Sequence, residues 1–290
     1  MWRAVSRVLR SRRVVADDIR VVAGDILDTV FPGDCRVCGG PLSFVIGSGP
    51  LCSGCVGAIR PQRGGLCACC GEALGMESER FHAQGSEGVK CAECRLAAPA
   101  FTRAVAYGVY EDELREMIHL LKYEGVRSVV SALGRRLAET IAGLGLSDAL
   151  VVAVPLFPAK QRARGYNQSV LLADAAVKRL RPSGLVVAHD VLRRVRDTES
   201  QFALTPRMRR KNLRGAFAVS DPAHVAGREV LLVDDIYTTG ATARECARVL
   251  MAAGAAKVWV ATLARAQKEQ VGLWSGSVRD PVGFGEILRE

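Results

Sequence analysis

No apolar run in this 290-residue chain reaches the roughly 18 residues that a membrane-crossing helix needs. No apolar secretory segment follows the start, so the expected compartment is the cytoplasm. Large apolar residues are sparse between positions 31 and 98, too sparse for that stretch to fold on its own core without a metal. Acidic residues are short in two places only. Residues 1–20 carry six Arg against Asp17 and Asp18, a net +4, and residues 193–214 carry seven Arg and one Lys against Asp197 and Glu199, a net +6. Together they account for the whole excess of +10. Basic segments of this kind favour phosphates, of a nucleotide-like ligand or of nucleic acid, where the bland alternative is a solvated surface. Among the charges of 193–214 the one aromatic is Phe202, which gives little basis for base stacking. The length leaves room for one substantial core plus a small second domain.

Cysteine is plentiful and oddly placed: nine of ten fall between residues 35 and 94. Four pairs, Cys35/Cys38, Cys52/Cys55, Cys67/Cys70 and Cys91/Cys94, have knuckle spacing and read C-x2-C-x13-C-x2-C and C-x2-C-x20-C-x2-C. Two intervening residues let both sulfurs of a knuckle face one tetrahedral ion, and four thiolates close a structural zinc site. Two Zn2+ ions are therefore expected, in preference to disulfides, which a reducing cytoplasm disfavours, or to an iron–sulfur cluster. Sequential and cross-braced pairing both satisfy the spacing, and Cys69 is an extra thiol that could replace a neighbour. His82 reads as a polar loop residue. Gly39 and Gly71, each just after a knuckle, suit a positive-φ turn. Cys246 falls on the apolar face of an expected helix, as a packed core residue does.

From Ala100 the texture alternates. Strands are expected at Val105–Tyr110, Ala149–Pro155, Glu229–Asp234 and Lys257–Ala264, and helices over Asp112–Tyr123, Val126–Leu144, Asn167–Leu180 and Ala241–Ala253. That alternation predicts an α/β fold with a doubly wound parallel sheet. Four parts follow: a basic amphipathic helical extension over 1–30, a cysteine-rich zinc domain over 31–98, the α/β domain over 99–265 and a tail over 266–290. Residues 72–90, rich in Gly, Ser and Glu, read as a mobile loop between knuckles.

The segment from Val230 to Thr242 carries the sharpest signal. A β-branched apolar run ends in Asp234 and Asp235, then Thr238-Thr239-Gly240-Ala241-Thr242 opens a helix. Backbone N–H groups and hydroxyls at a helix N-terminus favour a phosphate. The two carboxylates suit sugar hydroxyls or a divalent metal. A phosphate site beside a site for vicinal hydroxyls describes a sugar phosphate; the alternative is a doubly wound strand that merely ends in two acids.

This strand–acid–acid–loop–helix segment resembles the signature of type I phosphoribosyltransferases. The resemblance implies that Asp234 and Asp235 contact the ribose 2′- and 3′-hydroxyls of phosphoribosyl pyrophosphate (PRPP) and that residues 238–242 wrap its 5′-phosphate. It also implies that the loop after the Val152–Val154 strand serves the diphosphate, with Lys160, Arg162 and Arg164 supplying charge in place of the small, acid-containing loop common in the wider family. The segment from Leu192 to Arg214, Arg196 included, is long for a connection and resembles the flexible loop that closes over the donor and excludes water. A similar loop occurs in glutamine amidophosphoribosyltransferase, whose glutaminase domain is missing here.

Taken with the knuckles, Leu121-Lys122-Tyr123, Arg164-Gly165-Tyr166-Asn167-Gln168, Arg196-Asp197-Thr198, Gln201 and Arg210-Lys211-Asn212 resemble the ComF family of competence-associated, phosphoribosyltransferase-like proteins over residues near 27 to 265. That resemblance implies a link to DNA uptake in natural transformation. Two readings follow from it. One is a phosphoribosyltransferase that uses PRPP with Mg2+ on an unidentified acceptor, held by a hood from the cysteine domain and residues 100–125. The other is a non-catalytic PRPP-binding adaptor that engages single-stranded DNA or a competence ATPase or helicase.

Overall fold

The computed structural model describes residues 33–42, 50–74, 88–197 and 212–267. The expected extension over 1–30, most of the loop over 72–90, the centre of the basic segment (198–211) and the tail from 268 lie outside the described residues.

The described chain runs α1 (Ser53–Ala58), α2 (Ala92–Leu96), β1 (Arg103–Val109), α3 (Asp112–Tyr123), α4 (Val130–Ala142), β2 (Asp148–Ala153), α5 (Pro158–Arg164), α6 (Gln168–Arg179), β3 (Gly184–Val187), β4 (Leu192–Arg194), β5 (Phe217–Val219), β6 (Glu229–Tyr237), α7 (Ala241–Ala252) and β7 (Lys257–Arg265). Five strands form one sheet in the order β1-β7-β6-β2-β3, and every neighbouring pair is parallel. β4 and β5 form a separate antiparallel ribbon.

Parallel strands covered on both faces need continuous apolar runs, and β6 supplies one. Leu231 and Val233 enter a core with Leu133 and Leu137 of α4, Leu172 of α6 and Ile118 of α3. Val230 and Leu232 enter a second core with Cys246 and Leu250 of α7 and Phe217 of β5. Burial pushes the Cys246 thiol well above its ordinary pKa, so it is packed and unreactive, as its position on the apolar face suggested.

The cysteine-rich segment is not set apart from the sheet. Its first half (Cys35, Leu51, Cys55, Ile59) shares the α3/α4 core, and its second half (Cys67, Cys69, Cys70, Cys91, Cys94) shares the α7 core. The chain between them crosses the outer edge of β1, where the Ala104 amide donates to Cys69 O (2.7 Å) and the Gln62 amide to Tyr107 O (2.6 Å). Those bonds satisfy an edge that would otherwise offer unpaired backbone groups.

Five elements of the sheet domain differ from expectation. Residues after β2 form the short helix α5, because Pro158 pre-sets the first helical φ and Gly165 closes it at φ +78°. β6 runs three residues past Asp234, to Tyr237. β3, β4 and β5 were not anticipated; at four, three and three residues they are too short to show a period of two.

Candidate functional site

The two halves of the cysteine segment repeat one design. Each has a knuckle followed by a glycine at φ +70°, Gly39 or Gly71, and an isolated bridge closing that turn, Asp34–Pro41 or Leu66–Ala73. A short helix then begins just after the third cysteine of each set. In both, an amide reaches the first thiol: Cys52 N to Cys35 Sγ (3.3 Å) and Cys91 N to Cys67 Sγ (3.2 Å). The clusters are Cys35, Cys38, Cys52, Cys55 and Cys67, Cys70, Cys91, Cys94, with the sulfurs of each set all within 4.8 Å of one another. The pairing is sequential, which removes the cross-braced alternative, and Cys69 stands outside the second set.

These clusters fit zinc. Sulfurs at the corners of a tetrahedron with Zn–S bonds of about 2.3 Å lie about 3.8 Å apart; Cys38–Cys52 measures 3.8 Å and Cys70–Cys91 3.7 Å. No cysteine forms a disulfide. The thiols hold protons unequally. A hydrogen bond with Cys70 draws Cys67 down to about 4, while that same bond drives Cys70 up and burial pushes Cys55 and Cys94 up. Burial opposes ionisation of Cys35, yet the amides of Cys52, Cys38 and Val37 bring it down to about 6. Four thiolates in so small a space need a cation, and a divalent ion supplies it.

On the sheet, the chain leaves β2 outward to β3 and returns to β6 on the other side of β2. The carboxyl ends of β2 and β6 therefore frame the switch point where open α/β sheets bind ligands. Asp234 and Asp235 lie in the carboxyl-terminal half of β6 there, ahead of Ile236 and Tyr237, but neighbouring strand residues point to opposite faces. Asp234 Oδ1 accepts from Ser169 Oγ (3.0 Å) and from the Asp235 amide (2.9 Å). Asp235 is 5% exposed and pairs through Oδ2 with Lys122 Nζ of α3 at 2.9 Å. Burial, and then the charge of Asp235, lift Asp234 to about 7. Burial presses on the Lys122 ammonium, yet Asp235 holds it above its ordinary pKa.

Asn167 sets the Ser169 contact. Its side chain accepts from the Ser169 amide (2.9 Å), capping α6, and donates to Val154 O just past β2 (2.9 Å). The Tyr166 hydroxyl donates to Leu121 O of α3, and Arg127 covers the Tyr166 ring at 4.4 Å. Thus the Gly165-Tyr166-Asn167 stretch clamps β2, α6 and α3 around the two acids.

Residues Thr238–Gly240 join β6 to α7, with Gly240 at φ +72° as the N-cap. Its missing side chain is required, because a Cβ there would collide with the Tyr237 ring. Ala241 N donates to Thr239 Oγ1 (3.4 Å), and the first turn of α7, Thr242 included, holds no acid.

The expected cations do not all converge. Lys160 is depressed by burial and by the charges of Arg194 and Arg164. Arg194 is depressed by burial, against the pull of Asp197 and Asp234. The charges of Lys160 and Arg194 act on each other, and Asp197 draws on both, so the two cations share one place: Lys160 exposed on α5 and Arg194 half-buried within reach of Asp234. Arg162 is exposed on α5. Arg164 donates to Gln168 Oε1 (2.6 Å) and lies over the Tyr123 ring at 5.7 Å. Arg196 instead staples the base of the basic segment, donating to Asn212 O (2.6 Å) and Arg214 O (2.8 Å). Lys122, Ser169 and Arg194 were not among the expected site residues. A signal existed for Lys122, since it continues the buried stripe of Leu114 and Ile118 at intervals of four.

Residues 167–279 match the Phosphoribosyl transferase domain and residues 26–95 the Double zinc ribbon domain. The chain is 34% identical to the DNA utilization protein YhgH of Salmonella typhi over 240 residues, 81% of this chain and 97% of that one. It is 31% identical to Competence protein F of Haemophilus influenzae (80% and 96%) and 26% identical to Competence protein ComFC of Bacillus subtilis (74% and 84%).

Proposed function

This chain belongs to the ComF family of competence-associated, phosphoribosyltransferase-like proteins, and from that premise we propose that it binds PRPP at the β2/β6 switch point and transfers its phosphoribosyl group. The observation that carries the reading is the meeting, at one switch point, of three complementary parts. These are an acid-free helix N-terminus entered through Thr238–Gly240, a carboxylate held by Ser169 and the cations Lys160 and Arg194.

In this reading the 5′-phosphate sits on the amides of residues 239–242. Asp234 accepts the ribose hydroxyls, while Asp235, committed to Lys122, shapes the floor. Lys160 and Arg194, with Arg164 beside them, hold the diphosphate. As the C1–O bond breaks, the diphosphate leaves with the electron pair and the acceptor bonds to C1. The protein's part is to position the donor and stabilise charge. When bound with the donor, Mg2+ neutralises the diphosphate. Asp234 would be the carboxylate of β6 left to hold the ion, since Asp235 is committed to Lys122.

The decisive measurement is calorimetric titration with PRPP and Mg2+, paired with an assay for released diphosphate. Asp234→Asn is expected to weaken PRPP binding with zinc content unchanged; equal affinity in parent and variant would sink the donor assignment.

The names of the relatives, DNA utilization and competence proteins, favour a second reading for the same site: a PRPP-gated adaptor that engages single-stranded DNA or a DNA-uptake ATPase. Replacing Arg209, Arg210 and Lys211 by Ala separates the two. A catalytic lid loses donor affinity or turnover and leaves DNA binding alone. A DNA arm lowers the salt slope by about 0.7 per lost single-strand contact.

A further inference from the structure

The second cysteine cluster lies against the phosphate loop, and two arginines connect them. Arg265, the last residue of β7, is 4% exposed. It donates to Cys70 O (2.5 Å) and to Cys70 Sγ (3.6 Å), and it pairs with Glu72 two residues on. Its guanidinium covers the Tyr237 ring at 4.4 Å. Phe101 meets the same ring edge-on at 6.4 Å. On that ring lies Gly240, so close that no side chain fits between them. Arg244, in the first turn of α7, reaches the cluster independently: it donates to Cys94 Sγ (3.8 Å) and to Ala97 O (2.7 Å).

Four thiolates around one zinc ion leave a net charge of about −2 on the site, and two guanidiniums aimed at its sulfurs offset part of that charge, Arg265 being shared with Glu72. Partners of metal ligands tune the metal and are in turn oriented by it. Here both partners bear on the segment proposed to hold the donor's 5′-phosphate, one from beneath through Tyr237 and one from within α7.

We propose that the second zinc ion positions the phosphate loop, with Arg265, Tyr237 and Arg244 as the positioning residues that carry its influence. The first cluster packs on the opposite face of the sheet, against α3 and α4, and has a purely architectural part. This inference rests on the PRPP reading for its functional consequence, but the mechanical coupling stands apart from it.

Hydrogen exchange on the ligand-free, zinc-loaded protein tests the coupling. Arg265→Met and Arg244→Met are each expected to speed amide exchange in residues 244–246 roughly tenfold while two zinc ions per chain remain, because the bonds of those amides run back to the loop, beginning with Arg244 N to Gly240 O (2.8 Å). Affinity for ribose 5-phosphate should fall by a similar factor and affinity for inorganic diphosphate should not, because only the former uses this loop. Should the arginine variants lose zinc or misfold, Tyr237→Ala, which leaves the cluster intact, takes their place. Its exchange is expected to rise, and Tyr237→Phe, which keeps the ring, is expected to restore protection. Exchange within about twofold of the parent in zinc-retaining variants, or in Tyr237→Ala, would overturn the proposal. A parent protein that binds neither probe would overturn the PRPP reading alone, since the exchange result still judges the coupling.

Discussion

Asp234 and Asp235 are adjacent in the chain and unlike in chemistry. Asp235 is locked to Lys122 with both side chains largely buried, and removing one partner of such a pair strands the other charge at about 3–5 kcal/mol. Asp235→Asn is therefore expected to lower the thermal midpoint sharply, and Lys122→Met in the same chain should recover much of the loss, read by calorimetric scanning. Asp234 behaves differently, because its folded pKa of about 7 lies above the unfolded value near 4. The folded state binds the extra proton between those values, so this group favours folding at low pH and the favour fades as pH rises towards 7. Ribose hydroxyls need the ionised form. PRPP affinity is thus expected to rise from pH 6 to 8 with proton release, measurable in buffers of different ionisation enthalpy. Asp234→Asn should flatten that dependence; a flat profile in the parent would remove Asp234 from the ribose contact.

Elements were legible in the sequence where they are long and strongly periodic. Val230–Val233 reads as a buried strand because both faces are covered, and Leu133, Leu137 and Ile141 mark α4 by their spacing of four. The knuckles read as metal sites because ligand spacing is local, and the choice between sequential and cross-braced pairing waited on a contact that spacing cannot supply. β3 was missed because four residues at a half-exposed edge carry no period, and α5 because its residues bury nothing. The Lys122–Asp235 pair and the Arg265–Glu72 pair join residues distant in sequence, where no local rule reaches. Arg196 was assigned to the donor from its motif, yet its guanidinium closes a hairpin base. The best test at this scale is the cap on α6, since one residue, Asn167, serves both the helix and the end of β2. Asn167→Ala is expected to cost about 1–3 kcal/mol, a lost cap plus a buried carbonyl without its donor. It should also weaken PRPP binding as Ser169 drifts from Asp234. Urea midpoints and titration check the two effects separately; a stability loss with undiminished affinity would detach Ser169 from the site.

At the scale of the whole molecule the two zinc modules lie on opposite faces of the sheet, and the chain between them seals the β1 edge. A parallel sheet has two edges, and an uncovered one recruits other chains. Here the cover comes from Gln62 and Cys69, residues whose own backbone positions depend on the knuckles on either side. The boundary near residue 98 is accordingly a change in composition that leaves the cores on both sides shared. Each structural zinc site contributes roughly 10–16 kcal/mol of apparent binding free energy, far more than the apolar side chains of residues 31–98 can. Chelation is then expected to do more than release two zinc ions per chain. It should free the segment over β1, expose that strand's outer edge and the apolar faces of α3 and α7, and drive association. The same outcome is expected for a chain beginning at residue 99, which lacks the cover altogether. Light scattering on the zinc-loaded full chain, the chelated chain and the truncated chain checks this, with elemental analysis fixing the metal content of each. A truncated chain that stays at one size with the parent's far-ultraviolet signature would show that the sheet does not need its cover, and would return the cysteine segment to the status of a detachable domain.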